Sequence, residues 1–264
     1  MSNKRTLPFT AVFCSILLFS AAPAFGAHPL FSDDTLTQGK GKTQIEAAYQ
    51  YNHDNDSGVK TQTSQPHVQL TYGILDPLDA IVTVPYLLVR QTQGGTEANE
   101  NGIGDVTLAL KWRFYGEKEK GLQFAIKPSV TFPTGDEDKG LGYGREAYGI
   151  TFISTFEREE WCVSANLGYL YNEYGLQSNR DAYRKDIWSA SLSGQYEFVE
   201  KLWLVGEVGV LRNPNVTSDT LPAFINAGVI YELTKSIDLD IGYRYGLTKP
   251  AVDYSISGAV TIRF

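Results

Sequence analysis

The chain has 264 residues, a mean hydropathy of −0.21 and a formal net charge of −7. Its length suits one large domain, and its acidic balance argues against nucleic acid as a partner. Beyond residue 30 the sequence contains no run of about 18 apolar residues, which excludes a membrane protein built from helices but not one built from strands.

Residues 1–26 have the parts of a cleaved signal peptide. Lys4 and Arg5 form the charged start, the stretch 7–22 is mostly apolar, and 24–26 supplies small residues for cleavage. A membrane anchor helix is the alternative, but prolines bracket an apolar core that is short for a span. We therefore expect export through a cleaved signal peptide.

Cleavage after residue 26 defines the expected mature chain. Only two basic residues and no acidic ones are lost, so the mature chain carries a net charge of −9. Cys162 alone remains, which rules out an internal disulfide. We expect a periplasmic segment at 27–42 and a β-barrel at 43–264, placed in the outer membrane of a Gram-negative cell.

Twelve strand-like segments follow in the mature chain. They lie near 43–52, 65–74, 80–90, 103–114, 121–133, 146–156, 161–172, 185–197, 202–211, 222–233, 237–246 and 252–264. The expected long connections are 53–64, 91–102, 134–145 and 173–184, and short turns alternate with them. This alternation is typical of an antiparallel up-and-down outer-membrane barrel, with long extracellular loops and short periplasmic turns.

The last segment carries the cleanest alternation in the chain. Counting back from Phe264 by twos gives apolar residues through Ile262 to Tyr254, while the residues between them are mostly polar. Such a strand fits a wall with lipid on one side and water on the other. We also expect these three residues to form a signal that the outer-membrane assembly machinery reads by pairing with the strand edge.

The fourth and fifth segments show which faces point where. Trp112 and Phe114 alternate with Lys111 and Arg113, so the aromatic residues are expected on lipid and the basic residues in the lumen. Pro128 falls within the fifth segment and cannot donate to the ladder, so we expect a local bulge there. The third segment, 80–90, is apolar on both faces, and its inner face cannot be assigned.

Charged residues on the inner faces form two groups. The predicted lumen lining comprises Lys111, Arg113, Lys127, Glu207, Glu232, Asp238, Asp240 and Arg244. The basic residues of segments four and five lie about half a ring from the acidic residues of segments nine to eleven. Two hypotheses follow: a narrow channel with a transverse field, or a barrel plugged by charges that pair across its interior.

Two glycine-rich motifs flank the long loops. The first contains Gly104 and Asp105, and the second contains Pro133, Gly135 and Asp136. Together they resemble the outer-membrane barrel family named for the meta-pathway of phenol degradation, whose members are described as transporters. The resemblance implies uptake of aromatic compounds and offers no catalytic or ligand residues to carry over. From the residues alone, either rim shaping or substrate contact by the two aspartates remains open.

The sequence favours a narrow passive channel for small solutes. A non-conducting structural or surface-binding barrel is the alternative, and a barrel hydrolase with His53 near Asp54 is the third reading. With three histidines in the chain, we expect no catalytic residues, no metal site and no cofactor. The expected partners are outer-membrane lipid, the assembly machinery and a small solute of unknown identity.

Overall fold

The described residues form a closed antiparallel β-barrel. The computed structural model describes residues 28–117 and 121–264. Within these ranges twelve wall strands pair into a ring, which confirms the predicted fold class. The predicted signal peptide lies outside the described residues. No helix in the described part of the chain is long and apolar enough to cross a membrane.

The wall is built from thirteen strand segments in chain order. They are β1 (Thr43–Asp56), β2 (Val59–Leu75), β3 (Leu78–Gln93), β4 (Thr96–Ile103), β5 (Val106–Tyr115), β6 (Gly121–Phe132), β7 (Ala147–Glu157), β8 (Trp161–Asn172), β9 (Asp186–Val199), β10 (Leu202–Leu211), β11 (Ala223–Thr234), β12 (Ile237–Gly246) and β13 (Tyr254–Arg263). A short helix, α1 (Gln177–Ala182), lies between β8 and β9. Both β4 and β5 pair with β3, so together they make one wall strand that is interrupted at residues 104 and 105.

The first and last strands close the ring. β1 pairs with β2 on one side and with β13 on the other, with Ala47 opposite Val260 and His53 opposite Tyr254. A closed ring satisfies the backbone hydrogen bonds of every wall strand and leaves no edge exposed to lipid. The apolar alternation of the last strand therefore belongs to the seam of the barrel.

The strand faces follow the predicted alternation. On β5, Leu110 and Trp112 are 45% and 49% exposed, whereas Lys111 and Arg113 are 7% and 8% exposed. Side chains alternate between the two sides of a strand, so the apolar residues meet lipid and the basic residues enter the lumen.

Two of the expected long loops are wrong. The stretches 53–64 and 91–102 continue as strands to two-residue turns at Ser57–Gly58 and Gly94–Gly95. All four turn residues have positive φ, the geometry of the tight hairpin turns that match strand twist. These stretches are polar on both faces, so the hydrophobic alternation that marks strands is missing from them. The protein therefore extends paired β-hairpins where loops were expected.

The prediction of a bulge at Pro128 is also wrong. Ala109 pairs with Ser129 and Trp112 with Ile126, which keeps the same register on both sides of the proline. Pro128 lies on the outer face and opposite Ile150 of β7. The register shift between β5 and β6 falls instead between Arg113 and Tyr115.

The two ends of the barrel differ in a way that predicts its orientation. The loops 133–146 and 173–185 lie at the end we call the long-loop end, and the turn near Ser236 lies at the short-turn end. In a Cys162→Ser background, we expect a membrane-impermeant thiol reagent to label Asp138→Cys on intact cells and to leave Ser236→Cys unlabelled. Both positions are exposed, so the readout reports sidedness. Labelling of Ser236→Cys alone would reverse the orientation.

Candidate functional site

The interior of the barrel holds a piece of the protein's own chain. Residues 28–38, which we call the inner segment, are all buried or half-buried, and they contact inner-face side chains of many strands. The structure thus differs from the expected periplasmic location of 27–42. Residues 40–42 are exposed, and Gly41 donates to the carbonyl of Gly73 at the short-turn end.

The first half of the inner segment binds acidic side chains of β10 and β12. The N–H groups of Phe31 and Ser32 donate to the Glu207 carboxylate at 2.8 and 2.6 Å. His28 Nδ1 lies 2.6 Å from Asp240 Oδ1. A carboxylate that accepts backbone N–H groups is well stabilised in a buried site. Two predicted lumen residues thus hold the start of this segment.

The middle of the segment binds basic side chains of β5 and β6. Asp33 Oδ1 lies 3.1 Å from Lys111 Nζ, and its Oδ2 lies 2.5 Å from Lys127 Nζ. Asn166 of β8 holds the backbone at the same point, since its Oδ1 accepts the Asp33 N–H at 2.9 Å and its amide donates to the Asp33 carbonyl at 2.8 Å. Asp34 approaches Lys111 at 3.7 Å.

The last residues of the inner segment lie nearest the short-turn end of the barrel. Thr35 Oγ1 donates to Gln123 Oε1 at 3.1 Å, and Arg113 donates to Thr37 Oγ1 at 3.3 Å. The Gln38 N–H donates to both oxygens of Asp79, at 3.2 and 3.0 Å. The predicted lumen residue Arg113 thus contacts the last part of the inner segment.

The charge arrangement explains why the segment lies inside. In the ring, β5 and β6 lie about half a turn from β10 to β12, so a basic wall faces an acidic wall. The segment presents N–H groups and His28 to the acidic wall and Asp33 to the basic wall. Buried charges are costly unless they are paired and hydrogen-bonded. The segment therefore pairs with charged residues of both walls.

The other predicted lumen residues have partners within the wall or the segment. Arg244 lies over the rings of Phe31 and Phe224, at 5.6 and 4.6 Å from their centroids. Asp238 pairs with Arg263 at 2.6 Å, and Glu232 accepts the Trp203 indole N–H at 2.7 Å. Arg244 thus contacts the inner segment, whereas Glu232 and Asp238 lie in the wall near the short-turn end.

The two glycine motifs meet at the long-loop end. Asp105 accepts the Gly135 N–H at 2.9 Å with Oδ1 and the Tyr143 N–H at 2.8 Å with Oδ2. It lies outside the strands, and burial raises its pKa to about 6, although both N–H donors act in the opposite direction. At neutral pH the carboxylate is therefore mostly ionised and accepts both bonds. This latch fixes residues 133–146, which we call the rim loop.

Gly135 has no room for a side chain, and Gly104 has little. A Cβ on Gly135 would lie 2.2 Å from the Leu141 carbonyl oxygen, and one on Gly104 would lie 3.1 Å from the Pro85 ring. Asp136 is exposed and accepts the N–H of Asp138 at 3.1 Å within the rim loop. Pro133 is exposed where the loop leaves β6. The geometry favours rim shaping over substrate contact for these motif residues.

The rim loop also contacts the inner face of the wall at the long-loop end. Leu141 is 2% exposed and packs against Leu87 and Val89 of β3. The sequence could not assign the inner face of this strand, because both of its faces are apolar. The structure supplies the reason: part of its inner face packs against the rim loop. The described barrel thus holds the inner segment, and Leu141 packs on its inner face at the long-loop end.

The last strand has the expected orientation. Tyr254 and Ile262 pair with His53 and Ile45 across the seam. Phe264 is 70% exposed, and its N–H donates to the Thr43 carbonyl at 2.9 Å. A role in assembly stays a prediction.

The histidines offer little for catalysis. The ring of His53 stacks on Tyr254 at 4.9 Å, and Asp54 follows it on the opposite face of β1. His53 and Asp54 therefore do not form the pair that a hydrolase would need. Among the described residues, no group of three or more His, Cys, Asp and Glu side chains could hold a metal ion.

Comparison with sequence families decides the affiliation. A family described as "Putative MetA-pathway of phenol degradation" matches residues 27–264. The chain belongs to this family. The match covers the inner segment together with the whole barrel, and it confirms the resemblance seen in the two glycine motifs. No curated protein matches the chain in sequence.

Solved structures share the fold of this family member. An outer-membrane channel from Pseudomonas putida F1 is 16% identical, with a TM-score of 0.71 over 88% of this chain and 98% of that one. The β domain of the Bordetella autotransporter BrkA is 13% identical, with a TM-score of 0.58 over 85% and 100%. The NanC porin is 11% identical, with a TM-score of 0.54 over 84% and 98%. These similarities establish an outer-membrane type of barrel.

Proposed function

We propose that this protein is an outer-membrane channel for the passive entry of small solutes, with aromatic compounds among them. The observation that carries the proposal is the inner segment itself. Barrels of about eight strands are filled by their own side chains, and those of about sixteen leave a wide channel. The twelve strands of this barrel enclose a cavity wide enough for a stretch of polypeptide. When the inner segment leaves, that cavity becomes the open channel.

The lining supports movement of the segment. Most of its contacts with the wall are hydrogen bonds and ion pairs, such as those of Asp33 with Lys111 and of Ser32 with Glu207. Water can replace such contacts, so departure of the segment exposes a polar surface. The family description and the channel and porin names of the similar structures support transport, and the family name supports aromatic solutes.

The alternative is a barrel that does not conduct. Its support is the inner segment within the bore, together with the contact of Leu141 of the rim loop with the inner face of β3. In that case the long loops, rather than the lumen, would carry the function. A hydrolase has no comparable support, because His53 lies stacked on Tyr254.

Planar-bilayer recording separates these functions. We expect the full-length protein to give small or infrequent openings in KCl. A variant that lacks residues 28–38 should stay open and carry a mean current at least about tenfold larger. The matched control is Lys40→Ser/Lys42→Ser, which alters two exposed residues beside the segment and should behave as the full-length protein. A deletion variant that inserts, shows heat-modifiable migration and still passes no current would favour the non-conducting barrel.

A further inference from the structure

Two buried lysines of the wall hold a single carboxylate. Lys111 and Lys127 are 7% and 2% exposed, and their Nζ atoms lie 3.1 and 2.5 Å from the two oxygens of Asp33. Each carboxylate oxygen therefore faces its own ammonium group. This arrangement is a built anion site within the bore, and its lysines belong to adjacent wall strands, β5 and β6.

The carboxylate in this site comes from a separate part of the chain. Asp33 lies on the inner segment, which reaches the two lysines across 78 and 94 residues of sequence. If the segment leaves the bore, the lysines lose this carboxylate while they stay fixed in the wall. Two neighbouring ammonium groups in a site of low dielectric then require another anion or water.

We propose that Lys111 and Lys127 form a binding site for the carboxylate of a small solute, which Asp33 occupies in the closed barrel. The proposal rests on the proposed channel function, because a solute reaches the site only through an open bore. It adds a substrate class: small organic acids, attracted by charge and held by two ammonium groups.

The surroundings of the site fit a small polar solute. Asn166 lies beside it and binds both the N–H and the carbonyl of Asp33, so its amide can donate to or accept from a second group of the solute. Gln123 and Thr155 continue the polar lining, and they now bind Thr35. A solute with one carboxylate and a short body would replace the side chain of Asp33 and part of the adjoining segment.

Benzoate in planar bilayers tests the site. We use Asp33→Asn, and Asp33→Asn/Asp34→Asn as a second variant, because Asp34 lies 3.7 Å from Lys111 and could replace the lost carboxylate. Benzoate should block KCl current through either variant at a concentration at least about tenfold lower than in the same variant with Lys111→Gln/Lys127→Gln, since charge-assisted hydrogen bonds are the stronger ones. Benzyl alcohol, which has the same ring and no charge, should not block.

The matched control and a second readout keep the test decisive. Arg90→Gln removes a basic residue whose side chain is 53% exposed, and it should leave the benzoate block unchanged. Calorimetric titration of benzoate into detergent-solubilised Asp33→Asn protein measures binding without conduction. Benzoate block or binding that is equal with and without the two lysines would overturn the site and leave the channel standing. Variants that insert but pass no KCl current, together with a silent 28–38 deletion, would overturn the channel and this inference with it.

Discussion

A disulfide between residues 32 and 191 should close the bore reversibly. Ser32 Oγ lies 2.7 Å from Ser191 Oγ of β9, so two cysteines at these positions are close enough to join. In a Cys162→Ser background, we expect oxidised Ser32→Cys/Ser191→Cys protein to conduct at least about tenfold less than the same protein after reduction. The physical reason is that the disulfide fixes the middle of the inner segment to the wall.

The readout is single-channel current before and after addition of dithiothreitol to one bilayer. Ser32→Ala/Ser191→Ala removes the same hydroxyl contact but cannot form a crosslink, so its current should not change when dithiothreitol is added. Ser32→Cys alone controls for thiol chemistry. If the oxidised and reduced forms conduct equally while mass spectrometry shows the disulfide, the inner segment does not control the current.

The wall of this barrel was predictable because its signal is local. Trp112 and Lys111 are neighbours in sequence, and the alternation of apolar and charged residues around them indicates which side of the strand faces lipid. The same reasoning found the last strand from Tyr254 to Phe264. It failed at 53–64 and 91–102, where hairpins are polar on both faces and only the turns Ser57–Gly58 and Gly94–Gly95 mark them.

The inner segment was not predictable from a local pattern. Residues 28–38 have no regular alternation, and their burial depends on partners far away in sequence, such as Glu207 for Ser32 and Lys127 for Asp33. A usable signal was present in the charges. Asp33 and Asp34 precede the first strand, and a basic wall facing an acidic wall was already predicted inside the barrel.

The glycine motifs show the same limit at a smaller scale. The sequence placed Asp105 and Gly135 at the ends of neighbouring strands, but it did not show that one accepts a hydrogen bond from the other. It also could not reveal that Leu87 faces the bore, because the contact that explains this comes from Leu141 of the rim loop. Strand periodicity places residues on a face, and only the fold identifies what packs against that face.

Reversing the basic wall should expel the inner segment and change ion selectivity. Lys111→Glu/Arg113→Glu would bring carboxylates close to Asp33 and Asp34, and would remove the guanidinium bound to Thr37. A like-charge pair at about 4 Å costs on the order of 4 kcal/mol at an effective dielectric of 20. We therefore expect larger conductance than in the unaltered protein, and a reversal potential shifted towards cations.

Salt concentration and a neutral variant separate the two effects of this change. The shift in reversal potential should be larger at 0.1 M than at 1 M KCl, because the screening length falls from about 10 Å to about 3 Å. Lys111→Gln/Arg113→Gln should loosen the inner segment with a smaller shift in selectivity, since it removes charge without reversing it. Leu108→Glu/Leu110→Glu places the same acids on the lipid face, where charge opposes insertion, and should lower the inserted fraction. Unaltered conductance and selectivity in a correctly inserted Lys111→Glu/Arg113→Glu protein would show that these residues do not line the conducting path.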